Sequence, residues 1–184
     1  MQSRLFTSLL ATTALLTASG IASAADNSTK QPADISTKLM HELRSYPYYS
    51  IYDDLSFQVS NGQVVLTGAV TQPVKKDDVE RIARNIPGVT SVEDNIRVLP
   101  LSDMDNQLRR EVALAIYRFP ALNKYAWGPF PSIHVIVDNG HVTLTGVVDN
   151  QTDKDLAGMR ASGAGLSFGN IVNNLQVTQI AKKS

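Results

Sequence analysis

Apolar residues along the chain switch between two periods, and the switches mark out its elements. Ile35, Leu39, Leu43 and Tyr46 fall three or four residues apart. That spacing puts side chains on one face of a helix, and Pro47 stops the run. Phe57-Gln58-Val59 and Val64-Val65-Leu66 then flank Asn61-Gly62. Alternation on both sides of Asn-Gly predicts a β-hairpin closed by a type I′ turn, because that turn needs positive φ at both central residues. Pro73 opens a second helical run through Val79, Ile82, Ala83 and Ile86, which Pro87-Gly88 ends. Val92 to Val98 returns to a strand pattern.

The same order is then written a second time. Leu108, Val112, Ile116 and Phe119 repeat the first helical spacing and stop at Pro120. Val135-Ile136-Val137, the turn Asn139-Gly140 and the run His141 to Val148 reproduce the hairpin, and Ile171 to Val177 echoes the last strand. Ser102, with Asp105 three residues on, forms a capping-box variant ahead of the third helix. The sequence therefore predicts an α+β protein of two tandem αββαβ modules, residues 33–99 and 103–178, with the seam at Pro100 and Ser102. Each is expected to be a three-stranded sheet whose apolar face is covered by two helices. One such unit is marginal in size, so the two are expected to pack together.

Two departures and one oddity stand out. The first loop of the second copy, Ala121 to Ser132, is longer than its counterpart. Its second helix is interrupted by Gly158, Gly163 and Gly165. Each interior glycine costs roughly 1 kcal/mol against alanine, so a short helix from about 152 to 162 is expected. Gly68 and Gly146 sit at matched points inside strands, which predicts a bulge or a close approach of helix backbone to the sheet.

Ahead of the repeat, Arg4 is followed by the uncharged run Leu5 to Ile21 and by Ala22-Ser23-Ala24. A positive start, an apolar middle and a small-residue exit predict a secretory leader at 1–24, followed by a linker at 25–32. Thr and Ser interrupt the apolar run, leaving it marginal for the roughly 20 apolar residues that span a bilayer; no stable transmembrane anchor is expected. The chain has no cysteine, which rules out disulfides, thiolate metal sites and a lipid-bearing cysteine. Lys plus Arg balance Asp plus Glu at 17 each, so no global field draws in nucleic acid, and none is expected as a partner.

Candidate chemistry is sparse. His134 and His141 could face each other across the second hairpin, but a zinc site wants three or four ligands. Gly163-Ala164-Gly165 follows a weak helix and lacks the Gly-Lys-Ser/Thr ending of a phosphate loop. Asp53-Asp54 reads as a turn. Asp77-Asp78 reads as the first turn of a helix, where the macrodipole favours negative charge. No catalytic, metal or cofactor-binding residue is assigned, and an enzyme is not expected.

The plan of a hairpin with Val-x-Leu-x-Gly-x-Val, a helix, Pro-Gly-Val and a closing Val-x-Asn-x-Ile-x-Val strand resembles the BON domain family. Val64, Leu66, Gly68, Val70, Gly88, Val89, Val92, Asn95 and Val98 carry it in the first copy. Val142, Leu144, Gly146, Val148, Ile171, Asn174 and Val177 carry it in the second, while the corner Gly165-Leu166-Ser167-Phe168 departs from it. The chain is most similar in plan to secreted double-BON proteins of the osmotically inducible periplasmic type. That resemblance implies a non-catalytic periplasmic protein, peripheral to a membrane and tied to envelope integrity or stress. Anionic phospholipid headgroups or envelope proteins are the partners it implies.

The aromatics give that expectation a location. Tyr46 and Phe119 complete helix faces and are expected in the core. Tyr48, Tyr49 and Tyr52 crowd the segment after the first helix, and Tyr125, Trp127 and Phe130 crowd the matching loop of the second copy. Such residues either fold back over the sheet edge and the seam or face a wet interface. Arg109, Arg110 and Lys124 would add attraction to anionic phosphates. The candidate contact surface is thus Arg109, Arg110, Lys124, Tyr125, Trp127 and Phe130, with Asn61, Gly62, Gly68, Asn139, Gly140 and Gly146 as structural hairpin and strand positions. An alternative from another class is a periplasmic chaperone that holds unfolded clients.

Overall fold

The computed structural model describes residues 32–127, 131–164 and 171–178. The expected leader, most of the 25–32 linker, Phe130, the 165–168 corner and the 179–184 tail lie outside the described residues. In the first module α1 (Pro32–Arg44) leads into β1 (Asp54–Ser60), β2 (Gln63–Val70), α2 (Pro73–Arg84) and β3 (Ser91–Val98). Asn61 and Gly62 take φ of 50° and 81°, the type I′ geometry that joins β1 to β2 antiparallel. The α2 crossover then lays β3 parallel to β2, giving the order β1-β2-β3. Ile35, Leu39 and Leu43 of α1 pack on Val64, Leu66 and Val70 of β2 and on Val79, Ala83 and Ile86 in and after α2. Each fully buried aliphatic side chain contributes roughly 1.5–3 kcal/mol.

The second module repeats the plan with α3 (Asp103–Tyr117), a 3₁₀ turn (Asn123–Ala126), β4 (Ile133–Asp138), β5 (His141–Val148) and α4 (Gln151–Ser162). Asn139 and Gly140 adopt φ of 51° and 79°. The expected single strand from Ile171 to Val177 is instead broken into β6 (Val172–Asn173) and β7 (Gln176–Val177), both parallel to β5. The Asn173 side chain holds the break: its Oδ1 accepts the Leu175 N–H at 3.3 Å and its Nδ2 donates to the Lys154 carbonyl of α4 at 2.7 Å. Leu175 is thereby turned into the core.

Local chemistry explains several boundaries and corrects some expectations. Ser102 caps α3 by accepting the Asp105 N–H, but Asp105 does not close a capping box. Its buried carboxylate accepts the N–H groups of Asn139 (2.9 Å) and Gly140 (2.8 Å), pinning the start of α3 to the β4–β5 turn. Asp77 and Asp78 lie beyond the first turn of α2, because that helix already begins at Pro73. Asp78 instead accepts the Tyr46 hydroxyl at 2.7 Å. Gly68 and Gly146 have φ of 120° and 111°, and a Cβ there would stand 2.0 Å from the carbonyl oxygens of Asp54 and Ser132. The close approach comes from the neighbouring strand, not from a helix.

The two modules are packed on one another through β4, which is covered on both faces. Ile133, Val135 and Val137 face their own core, while Ile136 meets Ala69 and Leu99 of the first module. Burial on both sides is why this strand reads as a continuous apolar run. Ile51 and Tyr52 pack against the second core, and the Val135 N–H donates to the Ile51 carbonyl at 2.8 Å. Among the described residues no helix is long and apolar enough to cross a membrane.

Candidate functional site

The loop after α3 is built around one tether. Tyr125 is buried; its hydroxyl donates to Asp153 Oδ2 at 2.6 Å and accepts the Asp149 N–H at 2.8 Å. The Ser132 N–H returns to the Tyr125 carbonyl at 3.2 Å, closing the loop. Tyr125 is therefore an anchor rather than a contact residue. Lys124 is exposed but lies 2.6 Å from Asp149 and 2.8 Å from Asp153. Hydrogen bonds to those carboxylates hold its ammonium well above the ordinary lysine range. Trp127 is 76% exposed, its indole N–H donating to Asn123 Oδ1.

The two arginines part company. Arg110 is exposed, near Tyr52. Arg109 is 3% exposed, so it is removed from any surface. Its guanidinium donates to Asn106 Oδ1 and to the Val137 carbonyl, both at 2.6 Å. Burial pushes it below the ordinary arginine range, against the pull of Asp105 and Asp53. Among the described residues the expected aromatic-basic patch thus reduces to Trp127, with Lys124 already neutralised beside it and Arg110 elsewhere; Phe130 lies outside them.

The histidine pair also dissolves. In the hairpin register His134 stands opposite Thr145, and His141 stands opposite Asp138. His134 lies instead against Tyr49 of the first module, ring centroids 5.5 Å apart, with its Nδ1 buried and unpartnered. Burial lowers its basicity, outweighing Asp54 and the nearby backbone of Asp53 and Ser50. Among the described residues no three His, Cys, Asp or Glu side chains are grouped to hold a metal ion.

One polar cluster escaped the sequence reading. Asp53 is fully buried, and its carboxylate accepts from the Ser50 N–H and hydroxyl, the Thr71 N–H and hydroxyl, and the Lys75 ammonium at 2.6 Å. Burial raises this carboxyl, but the bonds from Lys75, Ser50 and Thr71 prevail and hold it below the usual range. The repeat makes the cluster intelligible. Lys75 and Asp153 occupy matched positions in the first turns of α2 and α4, as do Thr71 and Asp149 before them. A loop carboxylate meets a helix ammonium in one copy; a loop phenol meets a helix carboxylate in the other. Asp53 itself has no counterpart in the overlay, since the matched position is Pro131, and the adjacent Asp53-Asp54 pair looks like a solvated turn, so the sequence carried no signal of its role.

The BON domain model matches two segments of the sequence, residues 32–100 and 121–179, which together exceed half of the chain. The chain belongs to the BON domain family. No curated protein matches the sequence. Among solved structures it is similar to the C-terminal domain of CdsD, a structural protein of the type III secretion system of Chlamydia trachomatis, at 15% identity. That likeness covers 80% of this chain and 98% of the other, with a TM-score of 0.29. A second CdsD structure is similar at 15% identity over 79% and 94% of the two chains, with a TM-score of 0.27.

Between the BON modules the surface is concave. A groove of about 760 Å³ runs between α1 and β1, with Met40, Arg44, Leu55 and Phe57 on its walls. A recess of about 340 Å³ shares those four residues and continues past Tyr49 to Pro131, His134 and Val147 of the second BON module. Met40 and Val147 are 43% and 45% exposed. The lining is mixed: Arg44 faces both cavities, His41 and Ser56 join it in the groove, and Asp54 and His134 join it in the recess. No ion pair of Arg44 occurs among the described residues.

Proposed function

We propose that this double-BON protein is a non-catalytic binding protein of the bacterial envelope, exported to the periplasm. It meets phospholipid surfaces or envelope proteins through the aromatic loop of its second module. The observation that carries the reading is Trp127, three-quarters exposed yet oriented by Asn123 on a loop that Tyr125 ties down. An indole with an apolar body and a polar edge suits a wet interface, and holding it in place lowers the ordering cost of contact. Because Lys124 is engaged by Asp149 and Asp153, the contact draws on burial of the indole more than on attraction to anionic phosphates.

Co-sedimentation with phosphatidylglycerol–phosphatidylethanolamine vesicles tests the lipid form of this reading. The expected result is binding that Trp127→Ala removes and that added salt weakens little. No binding by the native protein, or equal binding by the variant, refutes it. A second reading, holding of unfolded polypeptide clients, is favoured by a different feature, the uncovered edge of β1. Suppressed aggregation of a denatured client at modest molar excess supports that reading, and an unchanged aggregation rate refutes it.

A further inference from the structure

In an antiparallel pair, opposed residues alternate between those that exchange backbone hydrogen bonds and those whose N–H and C=O point outward. Val135, opposite Leu144, is of the outward kind, since its N–H goes to Ile51. At each of three successive outward positions of β4 one backbone group is taken. The Val137 carbonyl takes the Arg109 guanidinium, the Val135 N–H takes the Ile51 carbonyl, and the Ile133 carbonyl takes the Tyr117 hydroxyl. A sheet edge treated this way cannot recruit another strand.

The first hairpin has the same two-residue turn and the same register, so Val59, Phe57 and Leu55 stand where Val137, Val135 and Ile133 stand in the second. At Leu55 the backbone is met by the Tyr49 hydroxyl. At Phe57 and Val59, among the described residues, no side chain or loop backbone is bonded to the outward groups. This open stretch of edge borders the groove between α1 and β1. Arg44 lines that groove at the repeat position from which Tyr117 closes β4.

We propose that the outer edge of β1 at Phe57 and Val59 is a docking site for an extended polypeptide strand with alternating apolar side chains and an acidic group beside Arg44. The occupant is argued from the molecule itself. The equivalent edge already takes main chain from outside its own hairpin: the Ile51 carbonyl, in the turn before β1, sits on Val135, and the side chains of Ile51 and Tyr52 pack on the second core. The recess between the modules makes the two edges neighbours, since Tyr49 and His134 line it with Phe57. Arg44 has no ion pair among the described residues, and the groove it lines between α1 and β1 has no carboxylate, so an acidic group is favoured there; Asp54 lines only the adjoining recess. Strand addition of this kind draws affinity from main-chain bonds and selectivity from alternate side-chain pockets.

The site rests on the polypeptide-holding reading for its class of ligand, and the test separates the two. The full chain is titrated against a fluorescein-labelled peptide of alternating threonine and valine ending in aspartate, followed by anisotropy. Two further peptides carry N-methyl groups on one or the other alternate set of residues. Saturable binding is expected for the parent, with at least about tenfold weakening by N-methylation on one set only. Arg44→Ala is expected to weaken the aspartate-ended peptide about two- to fivefold, and to leave an asparagine-ended one unchanged. If both N-methylated peptides bind like the parent, strand pairing is overturned while polypeptide binding stands. If the parent does not bind, both fall. Sedimentation showing a peptide-free dimer whose dissociation is required for binding assigns the edge to a second copy and overturns the proposal.

Discussion

Asp53 offers the sharpest test of how the first module is held together. Replacing it with alanine strands the Lys75 ammonium, whose side chain is 8% exposed, and removes the acceptor for five hydrogen bonds. Breaking a buried pair from one side costs about 3–5 kcal/mol, because the remaining charge stays buried without a partner. For a chain of this size each kcal/mol moves the midpoint by roughly 2–4 °C, so Asp53→Ala should lower it by about 6–20 °C. Lys75→Met should cost less, since the carboxylate keeps its bonds from Ser50 and Thr71. The double variant should be more stable than Asp53→Ala alone, because no charge is left stranded. Thermal melts of the four proteins by far-ultraviolet circular dichroism close the cycle. A midpoint for Asp53→Ala within error of the parent, or losses that simply add in the double variant, would refute the account. The acid limb follows from the same bonds. A carboxyl held below its ordinary 3.8 contributes stability that is present above that value and lost as pH falls through the lower folded one.

Further outcomes follow from other sites. His134 is pushed below its ordinary 6.5 by burial, so stability should be full above that pH and decline as pH falls past it, because the unfolded chain takes up the proton first. Melting midpoints of the parent and His134→Gln across this range should converge at high pH and part at low pH; parallel curves would exclude His134. Gly68→Ala and Gly146→Ala should each cost at least about 1–3 kcal/mol from backbone strain alone, with the 2.0 Å approach of a carbonyl oxygen adding to it. Urea midpoints measure this, and an unaffected variant would contradict the strand geometry. Arg109→Ala should cost about 1–3 kcal/mol by removing its bond to Val137, while vesicle binding of the folded variant stays at the parent level.

What could be read from the chain was whatever depends on neighbours in sequence. The two Asn-Gly turns follow from the φ values those residues tolerate, and α4 could be bounded near 152–162 because its interrupting glycines act locally, whereas sequence reasoning missed the Asn150 cap that starts it. Gly68 and Gly146 signalled a close approach, but which backbone approaches is decided by the β1–β2 and β4–β5 pairings. Arg109 looked like surface because arginine on a helix normally is. Its burial is set by the β4 edge, far away in sequence, which supplies an acceptor that α3 happens to face. Tyr125 could not be told from Trp127 by type. One side chain has a carboxylate under it and the other has solvent, and that difference comes from where α4 starts.

The two modules keep one design in the interior and abandon it at the periphery, and the contrast says where selection for folding stops. Both fasten the loop before the hairpin to the start of the second helix, yet the chemistry is inverted, carboxylate to ammonium in one and phenol to carboxylate in the other. Folding requires that the corner be filled and its N–H groups satisfied, not that any particular charge be used. The edges differ in kind rather than in chemistry. β4 is closed by Arg109, Ile51 and Tyr117, three groups from separate parts of the chain, whereas β1 is left open at Phe57 and Val59 beside an unpaired Arg44. An open edge is a hazard that proteins ordinarily cover. A chain that closes one edge three times over has the means to close the other, so the opening at β1 is better explained by a strand that comes and goes than by neglect.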